Sequence, residues 1–558
     1  NGSNVAGNTA YDGAGIYAHN AHLTLSSAVI YNNIASDSGG GIYATGSVIT
    51  LTQTELGGTG ANQPNQIGAA GLNGAGMYLD NTQASVFEST IAGNFLQNPG
   101  TGYGGGAYIY SSTITLTNSS VAYNLATGSL TDGRGGGMYV NNSSLTLDNT
   151  QVHDNAASTN GGGIRLYNSS TLNILNGSEL YNNMVTSGGG GALAVAGSGD
   201  LQINVSDASF YQNFASGSGG AIDLRGTGIL SFTGAWDLHH NTAGVDGGAL
   251  AIYDTADAQF HNGPGYFSYN QAGGSGGAIY LNNSINLQLY ATDGSPITLQ
   301  ANTAGVNGGA LAADAGGYFD IYGQVSVTGN SAPAGNGGAI HLSNGARAWL
   351  DDYYIYGPSV DGNSAINGGA IYADGSPSVR CDGAVLSANS ATNGSGGAIY
   401  LTASSSRAEN CTFDGNTATL NGGAIAAYAG SSLNVIANLG STTLAAEEAA
   451  LPGLHNSIQA TACNPADRQC SSFSANLADS DGDFNGYGGA IYNTGSLTLT
   501  GATVMSNTSG DGDGGGIYNY QGTVLITGTT IVSNTGSSGG GLVNYGTLTV
   551  IGSMVVSN

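Results

Sequence analysis

Short alternations of apolar and polar residues run along the chain, clearest in Ile114-Thr115-Leu116-Thr117, Leu145-Thr146-Leu147 and Leu497-Thr498-Leu499-Thr500. A period of two sends successive side chains to opposite faces, so each run predicts a strand with one buried face. Two landmarks recur around these runs. One is a group of two or three small residues followed by an aliphatic residue and often Tyr, found 18 times between Gly13 and Gly539. The other precedes the glycines and consists of an apolar residue, two variable positions and Asn, as in Ile30/Asn33, Val121/Asn124, Phe210/Asn213, Phe413/Asn416 and Ile531/Asn534. All but one of the intervals between glycine landmarks fall between 25 and 35 residues.

A unit of this length, with two or three short strands, glycine corners and almost no helical periodicity, predicts one coil of a parallel β-solenoid. Leucine-rich repeats need denser Leu, ankyrin and tetratricopeptide units need amphipathic helices, and a propeller blade is longer. The expected fold is therefore all-β, a right-handed parallel β-helix of about 18 coils forming a single continuous domain over residues 1–558. Stacking coils ~4.8 Å apart puts like residues above like. The aliphatics then make a continuous core, and the recurrent Asn makes a ladder of side-chain amides with a structural rather than catalytic role. In Gly396-Gly397-Ala398-Ile399-Tyr400 the small residues permit the corner, Ile399 is expected inward and Tyr400 outward.

Composition narrows the function. The 558 residues include 97 Gly and 31 Tyr, with 34 acidic side chains against 7 basic ones, all Arg, for a net charge of −27. Nucleic acid and anionic lipid are poor partners for such a surface, and the absence of Lys excludes a lysine-dependent phosphate loop or Schiff base. A hydrophobic fraction of 40% is unlike a disordered chain. No apolar run reaches the ~18 residues of a spanning helix, so direct membrane insertion is not expected.

Gly-Gly-Ala-Ile stands at 219–222, 276–279, 337–340, 368–371, 396–399, 422–425 and 488–491, and Phe-x-x-Asn begins at Phe210, Phe267, Phe413 and Phe473. Together these motifs resemble the repeats of the chlamydial polymorphic outer-membrane proteins and, more loosely, the right-handed β-helix passengers of autotransporter adhesins. The likeness spans essentially the whole chain, with Val, Ile or Leu at most of the Phe positions. It implies a secreted or cell-surface β-helix acting in adhesion or as surface structure.

One interval, Gly422 to Gly488, spans 66 residues and implies an insertion at about 437–480. It holds a short helix candidate, Leu444 to Leu451, stopped by Pro452-Gly453. Such an insertion serves either as a binding loop or as a stapled decoration. Cys463 and Cys470 are expected to form a disulfide closing a short loop. Cys381 and Cys411 are expected inward on neighbouring coils, where either a bridge or two free buried thiols fits the spacing.

Asp479, Asp481, Asp483 and Asn485 place oxygen ligands at alternate positions, and Asp481 to Gly486 matches the first half of an EF-hand-type loop. The run is a candidate Ca²⁺ site, to which Asp511 and Asp513 one coil later would add. The alternative is a solvated acidic corner, since Tyr492 rather than Glu holds the twelfth position. No other cofactor is required. Tyr17, Tyr43, Tyr78, Tyr108 and Tyr139 follow the glycine corner in five successive coils and predict an outward column. Its phenols would stack on sugar rings, pack against a neighbouring rod, or pack across coils.

Catalytic candidates are Asp351 and Asp352 beside Arg347, Tyr353 and Tyr354, and His239 and His240 near Asp237. Adjacent strand residues face opposite ways, so these doublets are not expected to converge, and no enzymatic activity is expected. Val5/Asn8 and Val555/Asn558 share one phase of the coil, which suits either an excerpt of a longer solenoid or end-to-end stacking into a filament or sheath. Expected partners are further copies of the chain, neighbouring surface proteins and glycans. Sequons at Asn118, Asn141, Asn168 and Asn282 would accept glycosylation. The functional expectation is an extracellular structural or adhesive β-helix, with a carbohydrate-binding or polysaccharide-degrading β-helix as the alternative.

Overall fold

The computed structural model describes residues 2–58, 63–68, 72–98, 101–128, 132–254, 257–261, 263–283, 286–292, 294–352, 357–437, 470–482 and 485–558. Among these residues there is no helix, 55% of positions are strand, and parallel strands stack as β-solenoid turns about 29 residues apart, about 17 in all. The fold is the β-helix that the repeat predicts. The chain divides into two compact units, Asn1–Leu287 and Gln288–Asn558, and each is built of such turns. The helix candidate and Cys463 lie outside the described residues.

A turn of the first unit shows the construction. Its strands are Ala107–Tyr110, Thr113–Thr117, Ser120–Ala122 and Leu125–Gly128. In parallel register they pair with Met138–Asn141, Ser144–Asp148, Gln151–His153 and Ala156–Ala157 of the next turn. A turn thus holds four strands rather than the two or three read from alternation. The fourth has four residues here but only two in the next turn, Ala156–Ala157, too few to show a period.

Between strands the chain bends through left-handed residues that are not glycine. Ser111 (φ 47°), Asn118 (φ 50°) and Tyr123 (φ 56°) each precede a buried polar residue, respectively Ser112, Ser119 and Asn124. A left-handed L-residue costs on the order of 1–2 kcal/mol, and the side chain after it supplies the compensation. Asn124 donates through Nδ2 to Asn155 Oδ1 (3.0 Å) and to the Ile91 carbonyl (2.8 Å), while its Oδ1 accepts from Asn94 N (3.1 Å) and Nδ2 (2.9 Å). The same pattern runs through Asn155, Asn183, Asn213 and Asn241 in the first unit and through Asn363, Asn389, Asn416, Asn476 and Asn507 in the second. Two hydroxyl ladders accompany it. Thr82 N donates to Ser112 Oγ (2.9 Å) and Ser112 N to Ser143 Oγ (3.0 Å); Ser89 N donates to Ser119 Oγ (3.1 Å) and Thr150 N to Ser178 Oγ (3.0 Å).

The fourth corner is the glycine landmark. Gly219 has φ 67°, a value open to glycine at little cost. At Gly220 an added Cβ would run into the Gly248 carbonyl oxygen and lie 2.7 Å from Thr242 backbone atoms. Just after this corner an aliphatic column enters the core: Ile42, Met77, Ala107, Met138, Ile164, Leu193, Ile222, Leu250 and Ile279 stand in register, all fully or almost fully buried. Phe232, Phe260, Phe267 and Trp236 fill a wider part of the same core with rings at 4.7–5.6 Å. In the second unit Phe413 and Phe473 stack at 4.7 Å.

Candidate functional site

One residue beyond the core aliphatic, the chain turns a side chain outward, and this position carries the tyrosines. Tyr17, Tyr43, Tyr78, Tyr108 and Tyr139 pair rung to rung in unbroken register. Their rings stack nearly parallel with centroids 5.1, 4.8, 5.2 and 5.4 Å apart. The ring faces are therefore occupied by other tyrosines, leaving edges and hydroxyls to the outside. Burial, reinforced by Asp80, raises the Tyr78 phenol well above its ordinary range, so that hydroxyl stays a protonated donor. Tyr139 departs from the expected outward setting: it is only 4% exposed, because Tyr103 packs over it at 4.7 Å. The column then continues as Arg165, Ala194, Asp223, Ala251 and Tyr280.

A second aromatic column was not foreseen. His153, Tyr181, Tyr211 and His239 stack at 4.7, 4.8 and 5.1 Å. At its end His239 and His240 do converge, with Nδ1 atoms 2.9 Å apart, contrary to the expectation for neighbouring strand residues. The reason is the left-handed bend at His240 (φ 54°). Asp237, two residues back on the same face, lies 3.7 Å from His239.

Asp479 is buried, with φ 58°, and its Oδ2 accepts the Asp511 amide at 3.2 Å. Asp481 and Asn485 are exposed, and Asp483 lies outside the described residues. No group of three or more His, Cys, Asp or Glu side chains placed to hold a metal ion occurs among the described residues.

Cys381 and Cys411 form a disulfide across neighbouring turns, Cα to Cα 6.3 Å, both buried. Of the alternatives left by the sequence, the bridge is the one present. Cys470 is also disulfide-bonded. Joining positions 30 residues apart restricts the unfolded chain by about 3.6 kcal/mol. The Cys381→Ala/Cys411→Ala double variant is expected to lose about that much, measured by urea unfolding under oxidising conditions; an unchanged midpoint would show that the bridge adds nothing to stability.

Asp351 acquires partners that chain proximity did not suggest. Asp351, Asp382 and Glu409 lie in register on three successive turns, and so do Trp349, Arg380 and Arg407 beside them. Arg380 sits 3.7 Å from both Asp351 and Asp382, and Arg407 donates to Glu409 at 3.0 Å. Tyr353 and Tyr354 lie outside the described residues. Burial pushes Asp351 up to about 6, against the pull of Arg380. Burial and then Glu409 bring Asp382 to about 6 as well. Both carboxyls hold protons more tightly folded than unfolded, where Asp titrates near ~3.9. Stability should therefore fall as pH rises from about 4 to about 6. Asp351→Asn is expected to raise stability by on the order of 2 kcal/mol at pH 7 and far less at pH 4. Urea titrations at the two pH values check this, and an equal gain at both would assign the effect to packing.

The geometry gives the comparisons with known proteins their meaning. The Chlamydia polymorphic membrane protein repeat matches residues 27–45, 264–282, 324–343 and 410–428. Each segment runs from just before the ladder Asn (Asn33, Asn270, Asn330 and Asn416) through the glycine corner to the strand beyond. Four segments of the chain are thus similar to polymorphic membrane protein repeats. In this structure such a repeat is the stretch that turns the Asn corner, crosses the short fourth strand and closes on the glycines. The repeat family is one of surface-exposed membrane proteins with a β-helix fold. No curated protein and no solved structure matches the chain. Among the described residues no helix is long and apolar enough to cross a membrane.

Proposed function

We propose that the chain is displayed at a cell surface as a β-helix passenger, serving as a scaffold with an adhesive outer face and able to associate with further copies of itself. The observation behind this reading is the presence of polymorphic membrane protein repeats as rungs of a solenoid. The recurrent residues are used up in holding rung to rung. Contact with partners is left to the outward columns, tyrosines among them.

Display is tested by antibody labelling of intact and permeabilised cells of the organism that makes the protein. Labelling of intact cells is expected, and labelling only after permeabilisation overturns display. Adhesion is tested with beads coated in the chain: attachment to cell monolayers in excess of albumin-coated beads is expected, and equal attachment removes the adhesive part. Sedimentation velocity over a hundredfold concentration range tests self-association, a single unchanging monomer boundary being the adverse result.

A second reading, polysaccharide degradation, has one observation in its favour, the Asp351, Asp382 and Glu409 column with Arg380 against it. Release of reducing ends from acidic or neutral polysaccharides, lost in Asp382→Asn, would support it; no release from either class removes it.

A further inference from the structure

Where the first tyrosine column breaks off, the surface is notched. Arg165, Ala194, Asp223 and Ala251 replace tyrosine on four successive turns, with the two alanines fully buried beneath their neighbours. A cavity of about 490 Å³ lies here, lined by Arg134, Arg165, Arg225, Asn160, Ser187 and Ser218 among others. Three of the chain's 7 basic residues thus meet at one depression of a protein whose net charge is −27.

The arginines are held by the fold rather than hanging from it. Asp223, only 1% exposed, receives Arg225 Nε at 3.1 and 3.0 Å on its two oxygens. The Arg225 guanidinium lies over the Tyr253 ring at 4.3 Å, and the Tyr253 hydroxyl donates to Ser218 Oγ at 2.8 Å. Arg165 is 6% exposed, and its Nε has no hydrogen-bond partner. A buried guanidinium donor left unsatisfied is costly. It is a reason to expect a ligand with acceptor oxygens, and a guanidinium fork suits a carboxylate or sulfate.

We propose that this notch binds a negatively charged sugar unit, its acidic group on Arg165 and Arg225 and its hydroxyls toward Asn160, Ser187 and Ser218. The volume argues for a saccharide over a bare inorganic anion, since the cavity has room for a sugar ring and its neutral rim offers donors and acceptors where hydroxyls would lie. The inference is independent of surface display; the site would bind the same chemistry in a chain of any location.

The test is calorimetric titration of the full chain with a glucuronate-containing tetrasaccharide, a neutral tetrasaccharide and inorganic sulfate. Saturable binding of the acidic sugar alone is expected, weakened at least tenfold in Arg165→Gln. Ser187→Trp, which sets a bulky ring on the exposed rim of the cavity, is expected to weaken it as much while leaving the circular dichroism spectrum unchanged; this variant carries the test if Arg165→Gln fails to fold. Absence of binding, equal binding of the neutral sugar, or undiminished binding in folded variants overturns the site. Sulfate binding as tightly as the saccharide, with the same dependence on Arg165, overturns the sugar assignment.

Discussion

Replacing Asn124 by alanine is expected to cost about 4 kcal/mol or more, the largest effect of any single ladder substitution considered. Asn124 is fully buried and its amide satisfies four groups at once: Asn94 N, Asn94 Nδ2, Asn155 Oδ1 and the Ile91 carbonyl. Alanine removes every one of these partners and offers none in return. Each buried group left unpaired costs roughly 1–3 kcal/mol, and the sum falls short of additive because water enters the space. Asn149 provides the contrast. Its Nδ2 donates to Asn118 Oδ1 at 2.8 Å on the exposed side of the same turns, so Asn149→Ala is expected to stay within about 0.5 kcal/mol apart from its left-handed backbone. Urea unfolding followed by circular dichroism separates the two, and similar midpoints would mean that the buried ladder does not hold the rungs together.

Gly220→Ala is expected to be nearly as damaging, about 3 kcal/mol or more, for a steric rather than polar reason. The new Cβ would meet only backbone, the Gly248 carbonyl and the Thr242 peptide, and neither moves without parting the turns. Gly177 is the matched control: it has φ 79° with only Asn149 Oδ1 near an added Cβ, at 3.9 Å. Gly177→Ala should cost only the left-handed penalty of about 1 kcal/mol. Hydrogen exchange resolves where the damage falls. Loss of protection confined to the turns flanking Gly220 is expected, because each turn contacts only its neighbours. A uniform loss across Asn1–Leu287 would contradict that local picture.

The parts of the fold readable from sequence are those where every rung makes the same demand. The glycine corner admits only small residues because carbonyls crowd it, and the ladder position admits Asn because one side chain must both donate and accept along the stack. Hence Gly220 and Asn124 stood out on spacing alone. The left-handed bends did not. Tyr123, Gln212, Tyr269 and Ala388 all have φ near 50°, yet none favours that region for local reasons. The conformation is imposed by the ladder residue that follows, so the signal sits one position away from the strain. The same bend brought His239 to His240, against the simple alternation rule.

The candidate site was legible to a similar depth. The tyrosine column followed from counting one residue past each aliphatic, and the structure stacks Tyr17 through Tyr139 accordingly. The residues that replace tyrosine in the column carry a signal of their own. Arg165, Ala194, Asp223 and Ala251 occupy the same register, and a charged pair flanking an alanine in an otherwise aromatic column was the available signal. The Asp351, Asp382 and Glu409 column was hidden differently: its members are neighbours in space through turns that separate them in sequence.

Phenol rings held parallel at 4.8 to 5.4 Å from Tyr17 to Tyr139 cannot behave as independent chromophores. Excitation absorbed by one ring passes to the next, and an electron hole left by oxidation hops the same way, so photodamage should spread along the array rather than stay where the photon landed, while the nearly parallel rings keep emission polarised.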